Sequence, residues 1–193
     1  MINALTHSVN GAVRVIGLNE EIKTKICLVG DNNVGKTSLI RRFVLDTFDD
    51  KYTSTIGTKV TKKEVTVKKD NGREINLSML IWDIMGQKGF RELLRESYFY
   101  GAEGAICVCD LTNRESLEEL KYWIKSMESI TGHIPMIFIG NKSDLRDRIT
   151  VTNQDIEKVA TSYGAPSMIT SAKTGEGVES AFMRLASMLT SRK

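Results

Sequence analysis

The residues with the clearest potential for chemistry lie in a glycine-containing segment, GDNNVGKT, at residues 30–37. The segment fits the pattern G-x-x-x-x-G-K-[ST], in which backbone N–H groups surround phosphate oxygens. A short apolar run precedes it at residues 25–29, and apolar residues at helical spacing follow it at residues 39–44. Because this pattern binds phosphate between a strand and a helix, the setting favours a phosphate site over an ordinary glycine-rich turn.

The residue types of this segment suit separate tasks in phosphate binding. Consecutive N–H groups in a glycine-bearing turn form an anion site, and the N-terminus of the following helix adds a favourable dipole. We expect the Lys36 ammonium to reach the β- and γ-phosphates and the Thr37 hydroxyl to ligate Mg²⁺. We assign a catalytic role to Lys36, and nucleotide binding to Asp31, Asn32, Asn33, Val34, Gly35, Lys36, Thr37 and Ser38.

A second phosphate element is predicted where a strand-like run at residues 76–82 ends in the sequence DIMGQ. At the end of that strand, Asp83 can hold Mg²⁺ through water. The N–H of Gly86 can meet a γ-phosphate, and Gln87 can act in catalysis by orienting an attacking water molecule. The pattern D-x-x-G is weak alone, since it also describes a strand followed by a turn, and it gains weight from the phosphate loop.

The identity of the base is indicated by the sequence NKSD at residues 141–144. Asp144 can accept hydrogen bonds from the amino group and ring N–H of guanine, and Asn141 supplies a side-chain amide. Adenine lacks the 2-amino group and would leave a buried carboxylate unpaired, a difference that can reject the wrong base by about 10⁴-fold or more. The alternative is a polar turn after the strand at residues 136–139, and the phosphate loop argues against it.

The order of elements predicts an α/β fold in which helices cover both faces of a six-stranded, mostly parallel sheet. Ligands of such sheets bind at the carboxyl ends of the strands, where all the motifs above fall. A turn signal at residues 69–72 predicts a hairpin between the second and third strands. The predicted strands are 25–30, 58–68, 74–83, 104–110, 135–140 and 166–170; the predicted helices are 36–46, 115–131, 153–163 and 177–190, with a short helix before residue 104.

Composition places the 193 residues in the class of single globular domains, with 41% hydrophobic and 26% charged residues. The net charge of +3 is too weak to indicate a nucleic-acid partner. Cys27, Cys107 and Cys109 show no metal-ligand spacing and lie in or near apolar runs, which favours reduced thiols and a cytoplasmic protein. No stretch is long and apolar enough to span a membrane, and peripheral contact with a membrane is left open.

Five motifs in this order resemble those of the small GTPases of the Ras superfamily, and most of all its Rab branch. They are the phosphate loop, STIG at residues 54–57, WDIMGQ at 82–87, NKSD at 141–144 and SAK at 171–173. The resemblance runs from about residue 23 to the C-terminus. It implies the P-loop NTPase fold, with GTP as substrate, GDP as product and Mg²⁺ as cofactor.

The resemblance also implies roles for residues outside the patterns derived above. Thr55 would be a Mg²⁺ ligand in a first switch loop, which completes a metal set of Thr37, Thr55 and Asp83. Tyr52 would lie near the phosphates, in the same loop.

Further implied roles concern the base. Phe48 would stack on the edge of the guanine, and Lys142 would lie along its plane. A backbone N–H of the loop formed by Ser171, Ala172 and Lys173 would meet the guanine O6.

Three residues depart from the family pattern. Asn32 stands where many relatives carry Gly or another small residue, and its side chain can crowd Gln87 and an arginine finger. We therefore expect slow intrinsic GTP hydrolysis. Met85 replaces the usual Ala and Lys88 a frequent Glu, which leaves the identity of exchange factors and activators open; neutral drift on a loop is the alternative.

Residues 1–22 are predicted to form an N-terminal extension of a GTPase domain at residues 23–193. Apolar residues between Ile2 and Ile16 fall on one helical stripe, which favours an amphipathic helix docked on the protein. A hairpin signal at residues 10–11, disorder and membrane contact stay as alternatives. The chain ends without a cysteine, so we expect no lipidation site in it; a shortened chain and an unprenylated protein both fit this ending.

Lysines mark the predicted strand 58–68 and the turn after it. In the resembled family this strand helps to form the effector-binding face, where a basic surface would favour acidic partners. The preferred interpretation is a solvated edge strand protected by its lysines. The residues are Lys59, Lys62, Lys63, Lys68 and Lys69.

Together these features predict a GTP-binding molecular switch that hydrolyses GTP and signals through two switch loops, in trafficking or intracellular signalling. The expected partners are protein effectors, an exchange factor and a GTPase activator that can supply an arginine finger. Two other classes stay open. One is a module that binds guanine nucleotide without useful hydrolysis, against which Gln87 argues. The other is a different P-loop enzyme, such as a small-molecule kinase, against which Asn141 and Asp144 argue.

Overall fold

A six-stranded sheet forms the centre of the computed structural model, which describes residues 20–49, 55–87 and 95–191. The strands are β1 (Glu20–Val29), β2 (Thr58–Lys68), β3 (Glu74–Ile84), β4 (Gly104–Asp110), β5 (Met136–Asn141) and β6 (Ser167–Ile169). Their spatial order is β2-β3-β1-β4-β5-β6. Neighbouring strands are parallel except β2 and β3, which are antiparallel.

Helices cover both faces of this sheet. They are α1 (Lys36–Leu45), α2 (Arg95–Phe99), α3 (Arg114–Thr131), α4 (Asn153–Ser162) and α5 (Val178–Ser191), with a 3₁₀ turn at Arg146–Arg148. The buried apolar residues of α1 and α5 pack on one face, and those of α2, α3 and α4 pack on the other. The predicted α/β fold, with a mostly parallel sheet between two helical layers, is confirmed.

The strands sort their side chains between the two layers by the period of two that an extended chain imposes. On β1, Ile26 and Leu28 join the core under α1 and α5, while Cys27 and Val29 join the opposite core. Every residue of β4 and β5 is buried, as expected for central parallel strands covered on both sides. Between α1 and α5, Phe43 stacks on Phe182 with ring centroids 4.1 Å apart.

Most predicted element ends agree with the structure to within one residue, and β2 and β4 have the predicted bounds. The hairpin is also confirmed, since the N–H of Lys69 donates to the carbonyl of Arg73 at 2.8 Å. The prediction for β1 was wrong at its start, because the strand begins at Glu20 rather than residue 25. Its first residues alternate charged side chains with the buried Ile22 and Thr24, and they pair with β3 from Ile75 onwards.

Strand β2 forms an edge of the sheet, and two of its lysines, together with Lys69 in the following turn, have polar partners. Lys62 lies 2.7 Å from Glu64, Lys68 lies 3.3 Å from Glu74, and Lys69 donates to the Ser191 hydroxyl at 3.1 Å. These contacts agree with a solvated, charge-protected edge strand.

The carboxyl ends of β1, β3, β4, β5 and β6 lie at one edge of the sheet, because these strands are mutually parallel. The antiparallel β2 begins at the same edge, where Thr58 pairs with Ile84. The fold therefore gathers the loops after five strands and the loop before the sixth, β2. Among the described residues, no helix combines the length and apolar character needed to cross a bilayer.

A capping box closes the N-terminus of α4. The hydroxyl of Thr152 accepts from the N–H of Asp155 at 3.2 Å, and the Asp155 carboxylate accepts from the N–H of Thr152 at 2.9 Å. From α3, Arg114 Nη2 donates to Asp155 Oδ1 at 3.0 Å. The hydrogen bonds from Arg114 and Thr152 hold the pKa of Asp155 well below its usual value of 3.8.

We expect Asp155→Asn to lower the free energy of unfolding near neutral pH, with a loss that shrinks in acid. A carboxylate with a depressed folded-state pKa stabilises the fold fully above its unfolded pKa. That contribution disappears as the pH falls through about 4 towards the folded-state value. Urea unfolding at several pH values measures this difference, with Asp147→Asn on the exposed 3₁₀ turn as the control. A loss that stays constant with pH would contradict the prediction.

Candidate functional site

A cavity of about 490 Å³ opens at the carboxyl ends of the strands. Its volume lies in the range typical of small-molecule sites. Most of the residues that the sequence nominated for binding line it together. They are Asn32, Asn33, Gly35, Lys36, Thr37, Ser38, Phe48, Thr55, Asp83, Gly86, Asn141, Lys142, Asp144, Ala172 and Lys173.

Four nominated residues do not line the cavity. Asp31, Val34 and Ser171 lie behind it and contact the residues that do. Gln87 is exposed and is the last described residue before the gap at residues 88–94. Tyr52, like Lys88 and residues 1–19, lies outside the described residues, so the expectations for them stay predictions.

The loop between β1 and α1 wraps around the ammonium of Lys36. Lys36 Nζ donates to the carbonyls of Gly30 at 2.6 Å and Asp31 at 2.7 Å, and the side chain is buried. Burial lowers the pKa of Lys36 to about 8, against the opposing charges of Asp83 and Asp31. An anionic ligand beside this loop would therefore stabilise the charged form of Lys36.

Two glycines make the close approaches in this region possible. Gly30 has a φ of 139°, and a Cβ there would collide with the carbonyl of Val108 on β4. A Cβ on Gly86 would lie 2.5 Å from the backbone N of Asn32. The backbone after β3 therefore rests directly on the phosphate loop.

The three residues nominated as metal ligands converge beside Lys36. Thr37 Oγ1 donates to Asp83 Oδ2 at 2.5 Å and lies 2.9 Å from Thr55 Oγ1, while Thr55 Oγ1 is 3.5 Å from Asp83 Oδ2. Burial raises the pKa of Asp83, although Thr37 and Lys36 oppose the shift. Asp83 Oδ1 is buried with no hydrogen-bond partner among the described residues. This cluster of hard oxygen donors, one of them unpaired, fits a Mg²⁺ ion.

The buried side chain of Asn141, which also lines the cavity, joins two loops. Its Nδ2 donates to the carbonyl of Val34 at 2.9 Å, and its Oδ1 accepts from the N–H of Ala172 at 3.1 Å and the hydroxyl of Thr170 at 3.2 Å. The side chain nominated for base recognition thus also fixes the phosphate loop against residues 170–172. Ala172 N–H, one of the N–H groups in the loop assigned to guanine O6, contacts Asn141 in this structure.

Asp144 and Lys142 are each held by one neighbour. The hydroxyl of Ser171 donates to Asp144 Oδ1 at 2.6 Å. Lys142 lines the cavity and its ammonium lies 2.7 Å from Asp110 Oδ2, at the end of β4. The pairing with Asp110 holds the Lys142 side chain in place at the wall of the cavity.

Several residues around the cavity were not predicted. Asp110 lies at the carboxyl end of β4, so it could have been found from the rule that ligands of such sheets bind at the carboxyl ends of the strands.

Two further contacts near the cavity join distant parts of the chain. Trp123 donates from Nε1 to Asp31 Oδ1 at 2.9 Å, and Arg42 donates to the carbonyls of Ala172 and Lys173. Sequence patterns carry no signal for such long-range contacts. The unpredicted lining residues are Arg41, Asp49, Ile56, Lys59, Ile84 and Leu145.

Comparison with known proteins agrees with this geometry. The model of the Ras family matches residues 25–191. The chain is 39% identical over 163 residues to the Ras-related protein Rab-8B of Homo sapiens and of Pongo abelii, an alignment that covers 84% of this chain and 76% of each relative. It is 39% identical over 169 residues to the GTP-binding protein YPTM2 of Zea mays, covering 87% and 80%. The chain therefore belongs to the Ras family, as a Rab-like small GTPase that binds GTP and hydrolyses it to GDP.

Proposed function

We propose that the cavity described above is the guanine-nucleotide site and that this chain works there as a Mg²⁺-dependent switch. The observation that carries the proposal is the placement of two sets of groups in one cavity. Lys36, Thr37 and Asp83 form one set, Asn141 and Asp144 form the other, and all five line the same cavity. The first set suits phosphates with a divalent cation, and the second suits the donor groups of guanine.

In this proposal the protein forms no covalent bond to the nucleotide. The Lys36 ammonium and the N–H groups of the phosphate loop stabilise negative charge on the phosphates, and Gln87 orients the attacking water. Thr37, Thr55 and Asp83 would hold Mg²⁺, which, when bound, neutralises charge on the β- and γ-phosphate oxygens. Asn32 stands beside the backbone of Gly86, which makes it a candidate for slowing the intrinsic reaction.

The switch would follow from contacts that depend on the γ-phosphate. Thr55 lies before β2 and Gly86 after β3, so each of the two loops presents one group to the same end of the cavity. Loss of the γ-phosphate would remove a partner from both loops at once. Effectors, an exchange factor and an activator that read this change are the proposed protein partners, in trafficking or intracellular signalling.

We also propose a cytoplasmic location and a separate N-terminal extension at residues 1–22. The location is supported by Cys27, Cys107 and Cys109, which are all buried free thiols. Burial raises the pKa of Cys27 and Cys109 to about 12, so they suit a structural role better than a reactive one. Within the extension, residues 20–22 already belong to β1.

We expect Gln87→Leu to slow single-turnover hydrolysis of bound GTP by roughly ten- to a hundredfold, because leucine cannot orient water. The assay follows conversion of pre-bound GTP to GDP by chromatography. Gln154→Leu, an exposed substitution on α4, is the matched control. Equal rates in wild type and Gln87→Leu would contradict the assignment. Guanine nucleotide without turnover in either protein would favour a binding module or a switch that needs its activator.

We expect Thr37→Val to release GDP about tenfold faster than wild type in the presence of Mg²⁺, since the isosteric side chain lacks the ligating oxygen. Chelation with EDTA should accelerate release from wild type and add little in the variant. Fluorescent GDP displaced by unlabelled GDP gives both rates. Thr66→Val, on the exposed surface of β2, controls for the loss of a hydroxyl. An EDTA effect of wild-type size in Thr37→Val would argue against the metal set.

We expect Asn32→Gly to raise the single-turnover hydrolysis rate several-fold, because it removes the side chain of a residue whose backbone lies against Gly86, next to Gln87 in the chain. Nucleotide release measured on the same preparation separates faster chemistry from faster loss of GTP. An unchanged or lower hydrolysis rate in Asn32→Gly would show that this side chain does not limit the intrinsic reaction.

A further inference from the structure

Arg42 donates two side-chain hydrogen bonds from α1 to the loop assigned to the base, yet no motif contains it. Its Nε donates to the carbonyl of Ala172 at 3.0 Å, and its Nη2 donates to the carbonyl of Lys173 at 2.7 Å. The side chain is only 17% exposed. The two acceptors belong to consecutive peptide groups, which matches the spacing of the guanidinium fork.

The other end of the guanidinium is fixed to the C-terminus of α1. Arg42 Nη1 donates to the carbonyl and to the carboxylate Oδ1 of Asp46, both at 3.0 Å. In return, the backbone N–H of Asp46 donates to the carbonyl of Arg42 at 2.9 Å. The guanidinium is therefore held in one orientation, and α1 begins at Lys36 on the phosphate loop.

A short chain of hydrogen bonds links this contact to Asp144. Because a trans peptide directs its C=O and N–H to opposite sides, fixing the carbonyl of Lys173 also fixes the N–H of Thr174. That N–H donates to the Ser171 hydroxyl at 3.1 Å, and the hydroxyl donates to Asp144 Oδ1 at 2.6 Å. The carboxylate nominated to read guanine is thus oriented through Ser171 by a peptide group that Arg42 holds.

We propose that Arg42 is a positioning residue for base recognition, which sets the orientation of the Asp144 carboxylate through the 173–174 peptide and Ser171. The inference rests on the proposed binding of guanine by Asp144. It predicts that a change at Arg42 weakens the binding of guanine nucleotides selectively, since the Asp144 carboxylate would accept a hydrogen bond from the 2-amino group of guanine. Inosine lacks that group, so inosine nucleotides depend less on how the carboxylate is oriented.

The test compares release of GDP and of inosine diphosphate from wild type and Arg42→Lys. Lysine keeps the charge and most of the stem but cannot donate to two adjacent carbonyls. We expect GDP release to rise about tenfold in Arg42→Lys, with a smaller rise for inosine diphosphate, so that discrimination between the two falls several-fold. Arg114→Lys, in the guanidinium–carboxylate pair with Asp155 outside the cavity lining, should leave the discrimination at its wild-type value.

A second variant protects the test against a folding defect. Arg42→Gln keeps part of the stem and one NH₂ donor, and it is measured if Arg42→Lys does not give folded protein. An unchanged ratio of the two release rates would overturn the inference, even if both rates rise, because Arg42 would then only secure α1. Wild-type protein that does not prefer GDP over inosine diphosphate would instead contradict the proposed role of Asp144.

Discussion

The buried amide of Asn141 is the contact on which the shape of the cavity depends. It is 1% exposed, and its three hydrogen bonds go to the phosphate loop, to Thr170 and to Ala172. A side-chain amide offers both donors and an acceptor, so one residue can hold two loops that reach the cavity from different strands. Replacing it with an apolar residue would leave buried carbonyl and N–H groups unpaired on both loops.

Side-chain contacts of this kind hold some of the loops around the cavity more firmly than others. Gly35 lies against Asn141, where a Cβ would collide with the amide nitrogen, so the phosphate loop is tied to β5. Arg42 ties α1 to the loop after β6. By contrast, Thr55 contacts Thr37 and Asp83 through its hydroxyl, and Gly86 lies against the backbone of Asp31 and Asn32. A ligand that contacts both groups would therefore influence the two switch loops more than the rest of the wall.

The sequence predicted the parts of the fold and site in which a functional side chain lies at or just after the end of a strand. Asp83 and Asn141 come at or near strand ends, so the parallel topology alone gathers them at one edge. The start of β1 could not be found in this way, since its alternating charged residues resemble a polar segment. The contacts of Asp110 with Lys142, and of Trp123 with Asp31, join residues 32 and 92 positions apart and depend on side-chain directions. Tyr52 and the N-terminal extension stay predictions.

The electrostatics around Lys36 and Asp83 connect ligand binding with folding. Burial opposes the charged forms of both groups that would meet the ligand, since it lowers the pKa of Lys36 and raises that of Asp83. The fold holds Lys36 on backbone carbonyls and Asp83 on two hydroxyls, and among the described residues Asp83 Oδ1 has no partner. A nucleotide with its metal would supply the missing charges to both groups. Because a ligand that binds only the folded state stabilises it, nucleotide binding at the proposed site would add to the stability of the whole domain.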